Sequence, residues 1–469
     1  MRRRVLIGIV ALLILLAASA ALVLRGDWLR EAIRRRILAE IERSTGGAAS
    51  IGSFSFDWRR LRAEARDLVL RGTESPAAEP LLRVRELAVN LKIVSFWKQQ
   101  VDLASLVVHE PAIHLIVHPD GSTNLPRPKL KEPTRNLAET LLDLAIGAFS
   151  IEKGLLVASG ERMPFEARGE NLVARFSFDP AGLQYRGEIS VKHWRAGPVS
   201  LDLDAGLRMQ KNRLEVSGLK LAMGKSRLEG SGALEDFAEP KARLEFRGHL
   251  NVPEVAALVK FGALRQGTAE IAGLARWDRS AGPSATASVT AGDLALRQGR
   301  LEIRGARVTS KVEADSRRIR FHSLEGEALG GRFTGRADVD NNFTRYRLEG
   351  ELSQWNTARV LEAAGVRSAP WTGLASGSVQ LQGDLRSRDV QADARLAIAP
   401  APGSPPLEGA LNLRYGRAQG SLELTRGYLA TPATRLEFSG SVSSQLRVHA
   451  ESKHLDDLLP ALSLVSSEP

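Results

Sequence analysis

Ala242-Arg243-Leu244-Glu245-Phe246-Arg247-Gly248-His249-Leu250 carries the pattern that decides the fold. Apolar or small residues hold every second position, and charged ones or histidine hold the positions between. Side chains of a β-strand point alternately to its two faces, so this stretch specifies one greasy face and one wet face. The alternation returns at Tyr346-Arg347-Leu348-Glu349-Gly350-Glu351-Leu352, at 390–398 and at 407–415. Short runs of the same kind, broken by Gly, Asp, Asn or Pro, fill the chain beyond residue 50.

A longer pattern surrounds that first strand. Ser231-Gly232 precedes it, Gly248 closes a hairpin, a helical stretch follows at 253–260, and then come Gly267 and Gly273. A second copy runs through Thr334-Gly335, Gly350, a helical stretch at 356–363, Gly377 and Gly383. A third starts at Ser439-Gly440 and reaches a helical stretch at 454–462. Such self-similarity marks a repeat architecture, in which each unit hides its apolar face only against its neighbours.

The other helical pattern of the body, at 137–146, is equally short. These few helices are too small to coat a sheet of about 30 strands, the number that ordinary strand lengths imply. The apolar face must therefore meet something else. It closes as a dry sandwich core, or the sheet curls into an open trough. Small residues on that face (Ala242, Ala392, Ala394, Gly409) leave room and favour the trough. Its candidate lining is Leu244, Phe246 and Leu250 from the first copy and Tyr346, Leu348 and Leu352 from the second. Val390, Leu396, Ile398, Leu411, Leu413 and Tyr415 continue it.

The N-terminus has a different character. Residues 5–24 carry no charge and are long enough to cross a bilayer as a helix. Arg2, Arg3 and Arg4 precede them, which keeps the N-terminus cytoplasmic and exports the rest. A cleavable signal peptide, cut after Ala18-Ser19-Ala20, is the competing reading. The apolar run continues through Ala21-Leu22-Val23-Leu24 past that site, which favours an uncleaved signal anchor. Residues 27–45 then read as a helix with Asp27 as N-cap, Leu29, Ile33, Ile37 and Ile41 on one stripe, and Gly46-Gly47 as the stop. Arg34, Arg35 and Arg36 make it basic, so it either caps the first edge of the β array or touches the membrane surface, and the two roles are compatible.

The net charge is +11, and the first 62 residues hold twelve Arg against five acidic residues, or +7 of it. Charge so localised points to a membrane surface and away from the basic stripe that nucleic acid requires. Aromatic residues make up only 5%, too few for stacking platforms along a single strand. The chain has no Cys, which suits an exported protein without disulfides.

The expected organisation is a cytoplasmic tip (1–4), an anchor (5–24), a juxtamembrane amphipathic helix (25–47) and a first β region (48–130). A connecting helix and β region (131–212) and the repeated units (213–318, 319–420 and an incomplete 421–469) follow. The expected fold class is mainly β: a transmembrane helix and an amphipathic helix, then an elongated, repetitive antiparallel sheet curled into a hydrophobic groove.

Two stretches carry a family resemblance. Leu82-Arg83-Val84-Arg85-Glu86-Leu87-Ala88-Val89-Asn90-Leu91 leads through Trp97 to Val101-Asp102-Leu103-Ala104-Ser105-Leu106-Val107-Val108. Then come Glu110-Pro111-Ala112-Ile113-His114-Leu115 and Asp120-Gly121-Ser122-Thr123-Asn124-Leu125-Pro126. This succession resembles the N-terminal region of the AsmA-like superfamily, which includes AsmA and TamB, the inner-membrane part of the translocation and assembly module. With the single anchor and the glycine-punctuated repeats, the resemblance covers nearly the whole chain.

It implies an inner-membrane-anchored periplasmic protein that carries or shields phospholipid in a β-groove and contributes to outer-membrane biogenesis. The alternative is a scaffold that assembles outer-membrane or secreted β-proteins by strand augmentation, with an outer-membrane assembly protein as partner. TamB-type chains are longer and end in a β-rich domain that nothing after Gly440 matches. A short or truncated member, or a last strand that docks another protein or a second copy, is the expectation there.

Two motifs imitate enzymes. Gly218-Leu219-Lys220-Leu221-Ala222-Met223-Gly224-Lys225-Ser226 has five residues between its glycines where a P-loop needs four, and strand patterns flank it. His109-Glu110-Pro111-Ala112-Ile113-His114 has one residue too many for a zinc-protease helix, and Pro111 breaks that helix. On a strand, His114 and His118 share a face but stand about 13 Å apart, too far to chelate one ion. No catalytic, cofactor-binding or metal-ligating residue is expected, and no enzyme.

Overall fold

The computed structural model describes residues 27–57, 59–92, 103–118, 123–126, 142, 145–160, 165–196, 199–237, 239–258, 261–279, 281–340, 344–365, 371–384, 389–416 and 421–454. The expected anchor at 5–24 lies outside them. No helix among the described residues is long and apolar enough to cross a membrane. Those residues form 23 strands and three helices, so the protein is mainly β. They fall into two compact units, Met1–Leu221 with Glu235–Ala238, and Ala222–Leu234 with Glu239–Pro469.

The first unit opens with helix α1 (Asp27–Thr45), followed by β1 (Ala48–Asp57), β2 (Arg62–Arg71), β3 (Leu82–Leu91), β4 (Leu103–Val117) and β5 (Ala148–Gly160). β6 (Phe165–Asp179), β7 (Gln184–Ala196), β8 (Val199–Gln210) and β9 (Arg213–Met223) complete it. β1 to β4 pair antiparallel in order, β4 and β5 run parallel, and β5 to β8 resume the antiparallel meander. A parallel pair cannot be joined by a tight turn, and residues 118–147 separate β4 from β5 in the sequence.

α1 stops where Gly46, at φ +80°, donates back to the Glu42 carbonyl at 2.9 Å, in the manner of a glycine-terminated helix. Its Ile37, Leu38 and Ile41 pack on a core of Ile51, Ala65, Leu68 and Val84. Of the expected stripe, Ile37 and Ile41 are thus placed; the side chains of Asp27, Leu29 and Ile33 lie outside the described residues. Arg34 forks onto the Glu31 carboxylate at 2.7 and 2.8 Å and donates to the Ile51 carbonyl at 2.9 Å. One of the three expected membrane-facing arginines is therefore turned to the sheet.

The second unit holds β10 (Ser226–Glu235), β11 (Lys241–Asn251), helix α2 (Val252–Leu258), β12 (Leu264–Asp278), β13 (Gly282–Gln298), β14 (Leu301–Asp315), β15 (Arg318–Ala328), β16 (Gly331–Asp340) and β17 (Arg345–Asn356). Helix α3 (Thr357–Ala363), β18 (Gly373–Asp384), β19 (Asp389–Pro400), β20 (Glu408–Gly416), β21 (Ser421–Ala430), β22 (Thr434–Ser441) and β23 (Leu446–Ser452) follow. From β11 to β23 every successive pair is antiparallel. Turns are tied by their own side chains. Asp315 Oδ1, for example, accepts from the Arg317 and Arg318 amides at 2.7 and 3.0 Å.

The two full copies of the repeat superpose in kind: strand, strand, seven-residue helix, strand. Both helices are capped by an asparagine, Asn251 accepting from the Glu254 amide at 3.4 Å and Asn356 from the Arg359 amide at 3.1 Å. Each next strand carries its glycine in a conformation that side chains avoid, Gly267 at φ +138° and Gly377 at φ +147°. The helical stretch at 454–462 falls almost wholly outside the described residues, as does most of 137–146.

Within each unit the sheet is open and uncurled. The expected curl into a hydrophobic groove is therefore corrected, because strand pairing alone does not bend a sheet. Alternation dictates that one face be apolar, but the bend between neighbouring strands depends on what packs across that face.

Candidate functional site

The candidate site is the apolar face of the second unit, and cross-strand register assembles it. One row runs Phe246, Gly273, Ala287, Val312, Phe321, Ala337, Leu348, Leu381, Ala392, Tyr415, Leu422, each residue directly opposite the next. A second runs Leu250, Ala269, Ala291, Val308, Gly326, Phe333, Leu352, Gly377, Leu396, Leu411, Gly427, Phe438, Val448. Neither row contains a charged side chain, and the hydroxyl of Tyr415 is their one polar side-chain group. At about 4.8 Å per strand the first row extends about 48 Å, more than the hydrocarbon thickness of a bilayer.

All twelve residues read from the sequence as groove lining lie on this one face. Leu244 reaches Tyr346 through Ala275, Ala285, Ala314, Ile319 and Val339, and Tyr346 reaches Val390 through Gly383. Leu413 opposes Ala394, and Ile398 opposes Gly409. Ile398 is buried and Tyr415 is exposed, while the other ten are half-buried. The face is formed but not covered.

Sequence reasoning missed Trp277, Phe321, Phe333 and Leu381. Period-two counting fails in β15, where Phe321 and Leu324 share a face at odd spacing. A bulge with Ser323 at φ +47° takes up the extra residue and restores the apolar side. The positive φ and the register shift were not legible as such in the residue types.

Glycines shape the surface. An added Cβ at Gly350 would stand 2.6 Å from the Phe333 ring, and one at Gly335 2.8 Å from it. The ring lies down over this glycine pair instead of standing off the sheet. Tyr346 does the same over Gly383, where a Cβ would meet its hydroxyl at 2.7 Å. Near the start of the row, small residues leave a shallow dish of about 320 Å³ walled by Ala242, Leu244, Ala275, Trp277, Pro283 and Ala285. Trp277 itself is 40% exposed.

One polar residue interrupts a neighbouring row: Ser310, opposite Val289. Its hydroxyl donates to the His322 carbonyl at 2.9 Å, so it presents no free group to the face. The wet face carries cross-strand pairs such as Arg336–Glu349 at 2.8 Å and Arg414–Asp393 at 3.0 Å. The Arg336 guanidinium holds the Glu349 carboxyl below its ordinary pKa, and the Asp393 carboxylate raises that of Arg414. Exposed pairs of this kind add little stability, but they keep the face charged and solvated.

In the first unit, Asn124 of the Asp-Gly-x-x-Asn-Leu stretch is fully buried. Its amide nitrogen donates to the His114 carbonyl at 2.8 Å, and its oxygen accepts from the Ile116 amide at 2.9 Å. The nitrogen also meets Glu74 at 3.4 Å, a carboxylate that accepts from the Gly72 and Leu81 amides at 3.0 Å each. Burial works against charge on Glu74, but these donors outweigh it and hold its pKa below the ordinary carboxylate value. Asn124 is a clasp that closes a loop against β4.

The enzyme-like motifs are strands. Gly218 lies within β9 and Ser226 opens β10, with no helix after the glycines. His109 and His114 both sit on β4, with Glu110 between them at φ +50°. Among the described residues no group of three or more His, Asp or Glu is arranged to hold a metal ion. Neither a family model nor a curated protein matches this chain.

Proposed function

We propose that this protein is an AsmA- or TamB-like component of the inner membrane, held by residues 5–24 with its body in the periplasm. Its apolar sheet face bears phospholipid acyl chains and serves outer-membrane biogenesis. The observation that carries this reading is the pair of apolar rows, Phe246 to Leu422 and Leu250 to Val448, left half-exposed.

The energetics suit a conduit. Covering apolar surface is worth about 25 cal/mol per Å², so hiding one acyl chain gives several kcal/mol. The rows offer the same chemistry at each strand, so a chain displaced by one strand exchanges one set of contacts for an equivalent one. Sliding then costs little. The glycine-backed rings of Phe333 and Tyr346 keep the path low.

The test is to purify the full chain in mild detergent and measure co-purifying phospholipid by mass spectrometry. Wild-type protein is expected to retain phospholipid, and Leu348→Glu with Leu396→Glu is expected to lose most of it while keeping its strand content. Lipid-free wild-type protein, or full retention in the double variant, rejects the reading. Strand augmentation at β23 is the second reading, favoured by the exposure of all seven of its residues. It predicts that a proline at Val448 abolishes function while charges at Leu348 and Leu396 do not.

A further inference from the structure

We propose that a pocket in the second unit, where β12, β13 and β14 bulge together, binds a phosphate-class anion through Arg265 and Arg297. The pocket measures about 420 Å³ and is lined by Arg265, Gln266, Asp293, Arg297, Glu302 and Arg304, among others. That volume lies within the range of small-ligand sites. It exists because three strands leave regular register at one place. β12 and β13 slip between Leu264, Gln266 and Thr268, and β13 and β14 slip between Ala291, Leu294 and Leu296. Gly267 at φ +138°, Asp293 at +51° and Gly305 at +66° accommodate the slips. Bulges re-aim side chains and recur beside functional sites.

The charges are unequal. Arg304 forks onto Glu302 at 2.7 and 2.6 Å, and each satisfies the other. Arg243, Arg247 and Arg336 on the same unit are likewise paired with glutamates. The side chains of Arg265 and Arg297 have no hydrogen-bonded or ion-pair partner among the described residues, and Asp293 is the one remaining carboxylate in the pocket. Two free guanidinium forks against one carboxylate leave a positive excess. A guanidinium offers paired donors that fit two oxygens of a phosphate, and Gln266 adds an amide donor.

The site belongs to neither apolar row. Arg297 opposes Glu302 there, and the neighbouring Leu296, which opposes Ile303, lines the same pocket together with Ala295. It lies one pair from the turn that joins β13 to β14, at the margin of the sheet. A phospholipid headgroup or a free phosphate presents the same oxygens there. The proposal does not depend on the lipid reading.

The experiment uses the full chain in dodecyl maltoside, titrated separately with inorganic phosphate and with dihexanoyl phosphatidic acid, followed by ³¹P line width. One saturable site per chain is expected. Arg265→Gln with Arg297→Gln should weaken it about tenfold or more, as loss of charge-assisted hydrogen bonds does. Arg265→Lys with Arg297→Lys keeps the charge, loses the forks, and should fall between. Arg395→Gln with Arg426→Gln removes two exposed arginines elsewhere on the unit and should change nothing. Saturation by phosphate identifies a soluble ligand, and saturation by the lipid alone identifies a headgroup. No saturable binding of either, or equal weakening in the two glutamine pairs, overturns the proposal.

Discussion

In the first unit α1 lays Ile37, Leu38 and Ile41 over Ile51, Ala65, Leu68 and Val84, and Val84 keeps 2% of its surface exposed. In the second, α2 and α3 have seven residues each, and Phe246, Leu348 and Leu396 stay half-buried. The residues that are buried there are mostly alanines, Ala256, Ala269, Ala291, Ala363, Ala375 and Ala430. Both units are written in the same alternating pattern. What separates them is cover: a nineteen-residue helix spans several strands, and a seven-residue helix does not. An apolar sheet face left without cover is a place for a ligand or a partner.

Truncating a large residue in each unit tests this contrast most sharply. Leu68→Ala empties a covered core and should cost about 3 kcal/mol, whereas Leu348→Ala on the open face should cost about 1 kcal/mol. Hydrogen exchange read peptide by peptide gives each unit's loss locally. Equal losses would mean that Leu348 is in effect as covered as Leu68, and the distinction would fall.

Asn124→Ala strands the Ile116 amide, the His114 carbonyl and one contact of Glu74. A loss of about 2–3 kcal/mol is expected, confined to exchange protection in β3 and β4. A change below a few tenths would show that Asn124 is not the clasp.

Gly377→Ala places a side chain at φ +147° and should cost the second unit about 1–2 kcal/mol, seen in the β17–β18 peptides. Gly262→Ala, in open space without positive φ, serves as the neutral comparison.

The smallest effect is the pH dependence of the first unit. The folded pKa of Glu74 lies below its unfolded value, so its contribution is present above about pH 4.3 and disappears as pH falls through the folded pKa. Protection of the Gly72 and Leu81 amides should therefore drop on acidification, and Glu74→Gln should flatten that drop. An unchanged profile in the variant would assign the acid sensitivity to other carboxylates.

Reading the residues reached the strand class, the repeat and the identity of the apolar face, because period two places Leu244, Phe246, Leu348 and Leu411 on one side in any register that pairs them. It reached α1 through Ile37 and Ile41. It did not reach Phe321 and Leu324 together, since the bulge at Ser323 inserts a residue that alternation counts as an error. Nor did it reach the Arg265–Arg297 pocket, whose residues are ordinary strand positions until three strands slip in concert.

Outside the bulges, local chemistry alone thus determined which residues face together: alternation, turn-forming aspartates, capping asparagines and glycines at positive φ act within a few positions of themselves. Only the tertiary structure decided which apolar face is covered, which arginines lack a carboxylate, and that the sheet stays open within each unit. Those depend on neighbours far away along the chain, and a strand's own residues are equally content against a helix, a second sheet or an acyl chain.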